Sequence, residues 1–208
     1  MFRRLLIASL ATVVFAPFAH AEPGDSVLAL STDNDLFAPT QTDRDYTAGL
    51  AITYSSNSQE FIDNPVSQVS QGLDGLLLPI VGGSVEIPES AALEFGAYGF
   101  TPEEISASDI DRSDRPYSSL VYMSSSQSYE SPGAGSGWTT SMTVGILGLD
   151  AFKAGQNAVH KVVGSDRANG WDHQISEGGE PTFRYSAAYH QYLDASQPDQ
   201  QYKVTYFG

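Results

Sequence analysis

The strongest pattern along the chain is a strict alternation of apolar and small polar residues. In DYTAGLAITYSS, Tyr46, Ala48, Leu50, Ile52 and Tyr54 alternate with Thr47, Gly49, Ala51, Thr53 and Ser55. A period of two places the first set on one face of a β-strand and the second on the other. WTTSMTVGIL repeats the pattern, with Trp138, Thr140, Met142, Val144 and Ile146 opposite Thr139, Ser141, Thr143 and Gly145. Weaker versions occur at SVLALST, ALEFGAYGF, YSSLVYMSSS, RYSAAYHQYL and QYKVTYF, giving about seven strands in all. Segments of eight to eleven residues with an aromatic at the boundary match a membrane-crossing strand of about 9–11 residues better than a soluble strand of about 5–6. The expected class is therefore all-β, an antiparallel transmembrane β-barrel. Alternation alone also fits a soluble antiparallel β-sandwich with one wet face, and that alternative stays open at this level.

Two stretches interrupt the alternation. Residues 57–91 hold three prolines and no sustained period of two, which predicts a long loop with one helical turn around Val66 to Leu76. Residues 103–116, EEISASDIDRSDRP, are acidic and polar and predict a solvent-facing loop. One helix is expected, over 151–163 in LDAFKAGQNAVHKVVG, with Asp150 as N-cap and Gly164 just beyond the end. On it Gln156 and His160 stand at i and i+4, one turn apart on one face.

The N-terminus changes the boundaries. Arg3 and Arg4 precede an apolar run from Leu5 to Phe18, which ends in Ala19-His20-Ala21, the small-x-small pattern of a signal peptidase site. Residues 1–21 are read as a signal peptide and 22–208 as a single domain. Removing the two arginines takes the net charge from −15 to −17. So acidic a surface argues against a nucleic-acid partner. It also requires a bound cation wherever an anionic substrate is to be met. The absence of cysteine excludes disulfides, thiolate nucleophiles and thiolate zinc sites.

The candidate chemistry lies in two places. His160 can take a proton from water, and Asp166, six residues on and just past the predicted helix end, can be brought back to fix its tautomer. The plainer alternative is a histidine favoured by the helix C-terminus with an exposed loop aspartate. Asp172 and His173 in NGWDHQ are a second possible pair. In TDNDLF, Asp33, Asn34 and Asp35 offer the hard oxygen ligands that suit calcium, although an Asx-rich turn would use the same residues. Nucleophile elbows, P-loops and dinucleotide fingerprints are missing.

Five segments, NDLF, DRDYTAG, DRPYSSLVY, GILG and QNAVHKVVGSDRANGWDHQ, stand in the same order and with similar separations as in the outer-membrane lipid A 3′-O-deacylases, a family the chain resembles over most of residues 27–177. The resemblance implies a twelve-stranded outer-membrane barrel and a calcium-dependent esterase that removes the 3′ acyloxyacyl group from lipid A of lipopolysaccharide. It implies His160 as the general base, Asp166 as the acidic residue that orients it, and Asn34 and Asp35 at the calcium and oxyanion end. Thr47 matches the family's hydroxyl in DYT-G, and Gln156 its glutamine one turn before the histidine. Two features depart from the family pattern. No lysine occurs in residues 101–116, where Arg112 or Arg115 would have to serve instead, and about seven strands are present, which points to a chain incomplete at its C-terminus. A non-catalytic, porin-like barrel remains the alternative reading of function, and the oligomeric state is not legible.

Overall fold

The computed structural model describes residues 24–34, 48–110, 112–131, 135–164, 166–176, 178–192 and 203–207. The expected signal peptide at 1–21 lies outside them. Seven strands, β1 (Ser26–Asn34), β2 (Ala48–Ser56), β3 (Ser90–Phe100), β4 (Ser118–Ser131), β5 (Ser136–Leu147), β6 (Glu180–Tyr192) and β7 (Lys203–Phe207), form a single antiparallel sheet in chain order. All seven alternating segments of the sequence are thus strands. A sandwich would divide them between two facing sheets; one continuous meander excludes that alternative. The first six strands run from 9 to 14 residues, long enough to cross a bilayer at a tilt. Among the described residues no helix is long and apolar enough to cross a membrane.

Register turns the alternation into two continuous surfaces. Leu30 pairs with Ile52, Ile52 with Phe95, Phe95 with Met123, Met123 with Val144 and Val144 with Phe183. All six are exposed, Leu30 and Phe95 by 61% each. An apolar row running across six strands is the signature of a wall that faces lipid. The opposite face is polar. There Glu94 accepts hydrogen bonds from Thr53 Oγ1 at 2.7 Å and Tyr122 OH at 2.8 Å, and Ser124 Oγ lies 3.1 Å from Ser141 Oγ and 2.9 Å from Thr143 Oγ1. These side chains, with Arg184, line a cavity of about 400 Å³.

The segment 57–91 differs from the expected loop. It contains α1 (Gln59–Ile62), α2 (Pro65–Leu77) and a 3₁₀ turn over Leu78–Val81. Ser58 caps α1, and Asn64 caps α2 by accepting from the Val66 and Ser67 amides at 3.0 Å each, with Pro65 at the first helical position. The helix escapes a periodicity search because its buried stripe, Ser67, Ser70 and Asp74, is polar. Asp74, fully buried, accepts from Tyr129 OH at 2.6 Å, Thr140 Oγ1 at 2.9 Å and Tyr185 OH at 2.7 Å, which fastens α2 across β4, β5 and β6.

The remaining helix, α3 (Asp150–Val163), falls where the sequence places it. Its N-cap is Leu149, not Asp150, and Leu149 makes no side-chain cap bond. Asp150 instead opens the first turn, where a carboxylate favours the helix dipole. Gly164 closes the helix at φ 77°, as the αL position after a helix requires. Phe152 seats α3 on the sheet: a Cβ on Gly99 would lie 2.3 Å from its ring, so the absent side chain of Gly99 makes the seat. Gly99 has the parity of Phe95 in β3. Hence α3 stands on the apolar face, at the end of the sheet opposite α2.

Candidate active site at the rim of the apolar face

Phe152, Gln156 and His160 follow one another at intervals of four and form one stripe of α3. Phe152 meets the sheet, while Gln156 and His160 are 8% and 6% exposed. What covers them is the chain that follows. Asn157 grips that chain twice, Nδ2 donating to Ala168 O at 3.3 Å and Oδ1 accepting from the Ala168 amide at 3.0 Å. The grip folds residues 166–168 back along the helix, and Asp166 O comes to 2.6 Å from His160 Nδ1.

That contact decides the tautomer. A carbonyl oxygen only accepts, so Nδ1 carries the proton and, in the neutral ring, Nε2 keeps the lone pair. Sequence reasoning gave this duty to the Asp166 carboxylate. The structure gives it to the residue's backbone carbonyl, and the Asp166 side chain is exposed. The expected reversal of the chain is present; the orienting atom is different.

Trp171 is the keystone of the cover. Fully buried within the 3₁₀ turn Gly170–His173, it donates Nε1–H to Gln156 Oε1 at 2.7 Å. Its ring lies 4.7 Å from that of Tyr117 and 5.5 Å from that of Phe152. The preceding Gly170 is required by this packing, since a Cβ there would lie 2.5 Å from the Tyr117 ring. Tyr117, the tyrosine of DRPY, donates to Ile105 O at 2.8 Å. Ser119 Oγ donates to the buried Gln174 Oε1 at 3.1 Å, and the Ile175 amide donates to Tyr117 O at 2.8 Å. The NGWDHQ segment thus packs Trp171 and Gln174 inward. Asp172 and His173 both face solvent. Asp172 bonds Lys153 of α3, whose ammonium holds the carboxyl below the usual aspartate range through its hydrogen bond and its charge. Arg112 and Arg115 are exposed on the β3–β4 connection.

The other candidates come to the same end of the sheet through strand pairing. Gly99, under Phe152, pairs with Ala48, and Ala48 pairs with Asn34. Two strand spacings, about 10 Å, therefore separate the seat of α3 from the end of β1. Asn34 is described here as backbone, and Asp35 and Thr47 lie outside the described residues. Among the described residues no three His, Asp or Glu side chains converge to hold a metal ion. The calcium ligands expected from Asn34 and Asp35 fall outside the described side chains.

The sequence model of a family described as "Outer membrane protein LpxR" matches residues 5–207. The chain belongs to the LpxR family. This is the outer-membrane lipid A deacylase family that the five sequence segments resemble. The solved structure of LpxR from Salmonella typhimurium superposes with a TM-score of 0.60 at 16% identity, over 88% of this chain and 58% of that one. At that identity the likeness speaks for the fold, the LpxR outer-membrane barrel. The chain spans 58% of the length of that LpxR. No curated protein matches it.

Proposed function

We propose that this LpxR-family chain is an outer-membrane ester hydrolase that removes the 3′-linked acyloxyacyl chain of lipid A, exported by the signal peptide at 1–21. One observation carries the reading: His160 is buried with Nδ1 committed to the Asp166 carbonyl, so that Nε2 is the basic nitrogen. The helix that bears it stands on the apolar face of the sheet, at its rim. A lipid ester is met at such a place, whereas the polar cavity on the other face suits water.

In this reaction His160 Nε2 takes a proton from water as the water oxygen attacks the ester carbonyl carbon. The tetrahedral intermediate then breaks its bond to the sugar oxygen, which receives the proton back from the imidazolium, and the fatty acid leaves. Asp166 O stabilises the transient positive charge on the ring through the Nδ1–H it already accepts. Gln156, its Oε1 held by Trp171, turns its NH₂ end elsewhere as a fixed donor, and Thr47, which precedes β2 in the sequence, would contribute a hydroxyl. When bound at Asn34 and Asp35, calcium supplies Lewis-acid stabilisation of the developing oxyanion. Calcium binding has its own readout, a calcium-dependent rise in the thermal unfolding midpoint that is lost in Asp35→Ala.

The deciding experiment compares lipid A mass spectra from cells that express the wild-type protein or His160→Ala. Loss of a positioned general base costs about 10²–10⁴ in rate. The acyloxyacyl mass loss should therefore be present with wild type and absent with the variant. Identical spectra from the two, with calcium supplied, return the chain to the reading of a non-catalytic barrel.

A further inference from the structure

The other helix on the apolar face has no part in this chemistry. Its stripe toward the sheet is polar, while Val69 and Leu76 of α2, Ile80 and Val81 of the 3₁₀ turn, and Ile87 beyond it are exposed, Leu76 by 71% and Ile80 by 76%. This inverts the usual amphipathic helix, whose apolar stripe is the buried one. Exposed apolar groups at these five positions of one segment mark a contact surface.

Two observations identify the occupant. The first is continuity. Asp74 hangs α2 on Tyr129, Thr140 and Tyr185, which share the face of the apolar row through Met123, Val144 and Phe183. Thr140 is four residues from Val144, about 13 Å along the strand. Strand tilt brings that nearer 10 Å in depth, close to the margin of an apolar band about 25 Å tall. The second is charge: residues 59–89 contain Glu60, Asp63, Asp74, Glu86 and Glu89 and no lysine or arginine. Anionic headgroups would be repelled.

We infer that α2 and the 3₁₀ turn after it form an interfacial membrane contact, lying along the lipid boundary at the end of the barrel opposite α3, with their apolar stripe in the acyl chains of a zwitterionic phospholipid leaflet. The polar underside is the counterpart of that placement. With lipid outside, the buried carboxylate of Asp74 finds its partners in the barrel wall, while Ser67 Oγ accepts from the cap residue Asn64 at 2.8 Å.

The chain has no cysteine, so single cysteines can carry a spin label without a background. Leu76→Cys and Ile80→Cys are labelled in the full chain folded into phosphatidylcholine vesicles. Phe183→Cys on the apolar row serves as the lipid reference and Asp109→Cys on the β3–β4 connection as the water reference. Expected is collision with dissolved oxygen, and loss of collision with a water-soluble nickel chelate, as at Phe183→Cys. Chelate access equal to that of Asp109→Cys overturns the proposal, as does shielding from both reagents, which would mean that protein covers the stripe. Adding phosphatidylglycerol should shift both labels toward the chelate; a shift deeper into lipid refutes the choice of a zwitterionic leaflet.

Discussion

Replacing Asn157 with alanine removes both hydrogen bonds that fold residues 166–168 onto α3. A neutral hydrogen bond contributes about 0.5–1.5 kcal/mol net, so the pair contributes about 1–3 kcal/mol. Alanine is the better helix former by up to about 0.7 kcal/mol, so α3 itself gains slightly and any loss belongs to the turn. Ala168 is 1% exposed, so its amide finds no replacement partner in bulk water while the turn stays closed. At about 2 kcal/mol the opening equilibrium of the turn shifts by roughly 30-fold. Hydrogen exchange at the Ala168 amide should quicken by that factor, while amides in the centres of β3 and β4 keep their protection. Asp166 O rides on the same turn, so His160 loses its tautomer partner in the opened fraction, and lipid A deacylation should fall with little change in KM. Asn157→Asp keeps the acceptor for the Ala168 amide and loses the donor, and should fall between the two. Unchanged exchange at Ala168 would show that Trp171 packing alone holds the turn and would refute the reasoning. Faster exchange with undiminished deacylation would separate the turn from catalysis.

Three further outcomes test neighbouring parts of the site. Gly99→Val places a branched side chain inside the Phe152 ring, which costs about 1–3 kcal/mol and unseats α3; a barrel that still shows the heat-dependent gel shift should have lost deacylation, and full activity would show that the seat is dispensable. Asp166→Ala should keep the Nδ1–H tautomer of His160 in ¹⁵N spectra and deacylation within about threefold, a cost of about 0.7 kcal/mol, because the orienting atom is main-chain; a loss as large as that of His160→Ala would restore the carboxylate to the role. Lys153→Ala should return the Asp172 carboxyl toward the ordinary aspartate pKa of about 3.9, followed by carboxyl ¹³C titration. Since the folded carboxyl is depressed, its contribution is present above that pKa and disappears as pH falls through the lower folded value, so activity at neutral pH should not depend on it.

The parts legible in the sequence are those whose signal is local. A period of two is written into every strand, and register then follows from the alternation, because a slip by one residue would turn Ile52, Phe95 and Val144 to the polar face. Gln156 and His160 are one turn apart on any helix, and Gly164 ends it wherever it forms. The parts that were missed depend on partners far along the chain. Asp74 finds Tyr129, Thr140 and Tyr185 at separations of 55, 66 and 111 residues, and only those partners explain a helix whose buried stripe is polar. Trp171 could be placed in a turn near the site, yet its burial depends on Tyr117, 54 positions earlier, which no local pattern reveals. Asp166 shows a finer limit. The spacing from His160 announces that the chain reverses, but whether a side chain or a carbonyl reaches Nδ1 depends on the Asn157 grip two residues further on.

The two helices on the apolar face obey one rule. For α2 the inward stripe is Ser67, Ser70 and Asp74; for α3 it includes Gln156 and His160, while Val162 on its outer side is 85% exposed. In water such helices would be inside out, since burying unpaired polar groups costs about 1–3 kcal/mol each and exposing valine or leucine forgoes burial. Against the outer wall of a membrane barrel both terms change sign, since the exterior is hydrocarbon and the hydrogen-bond partners lie on the protein side, in the wall for Asp74 and in the following turn for Gln156 and His160. His160, which the proposed reaction brings to a lipid ester, is then held by the same inversion, because its Nδ1 faces the Asp166 carbonyl on the protein side while Val162 faces outward. If the labels on Leu76 and Ile80 report water, that common explanation fails for α2, and the inward placement of His160 must rest on the packing of Trp171 and Asn157 alone.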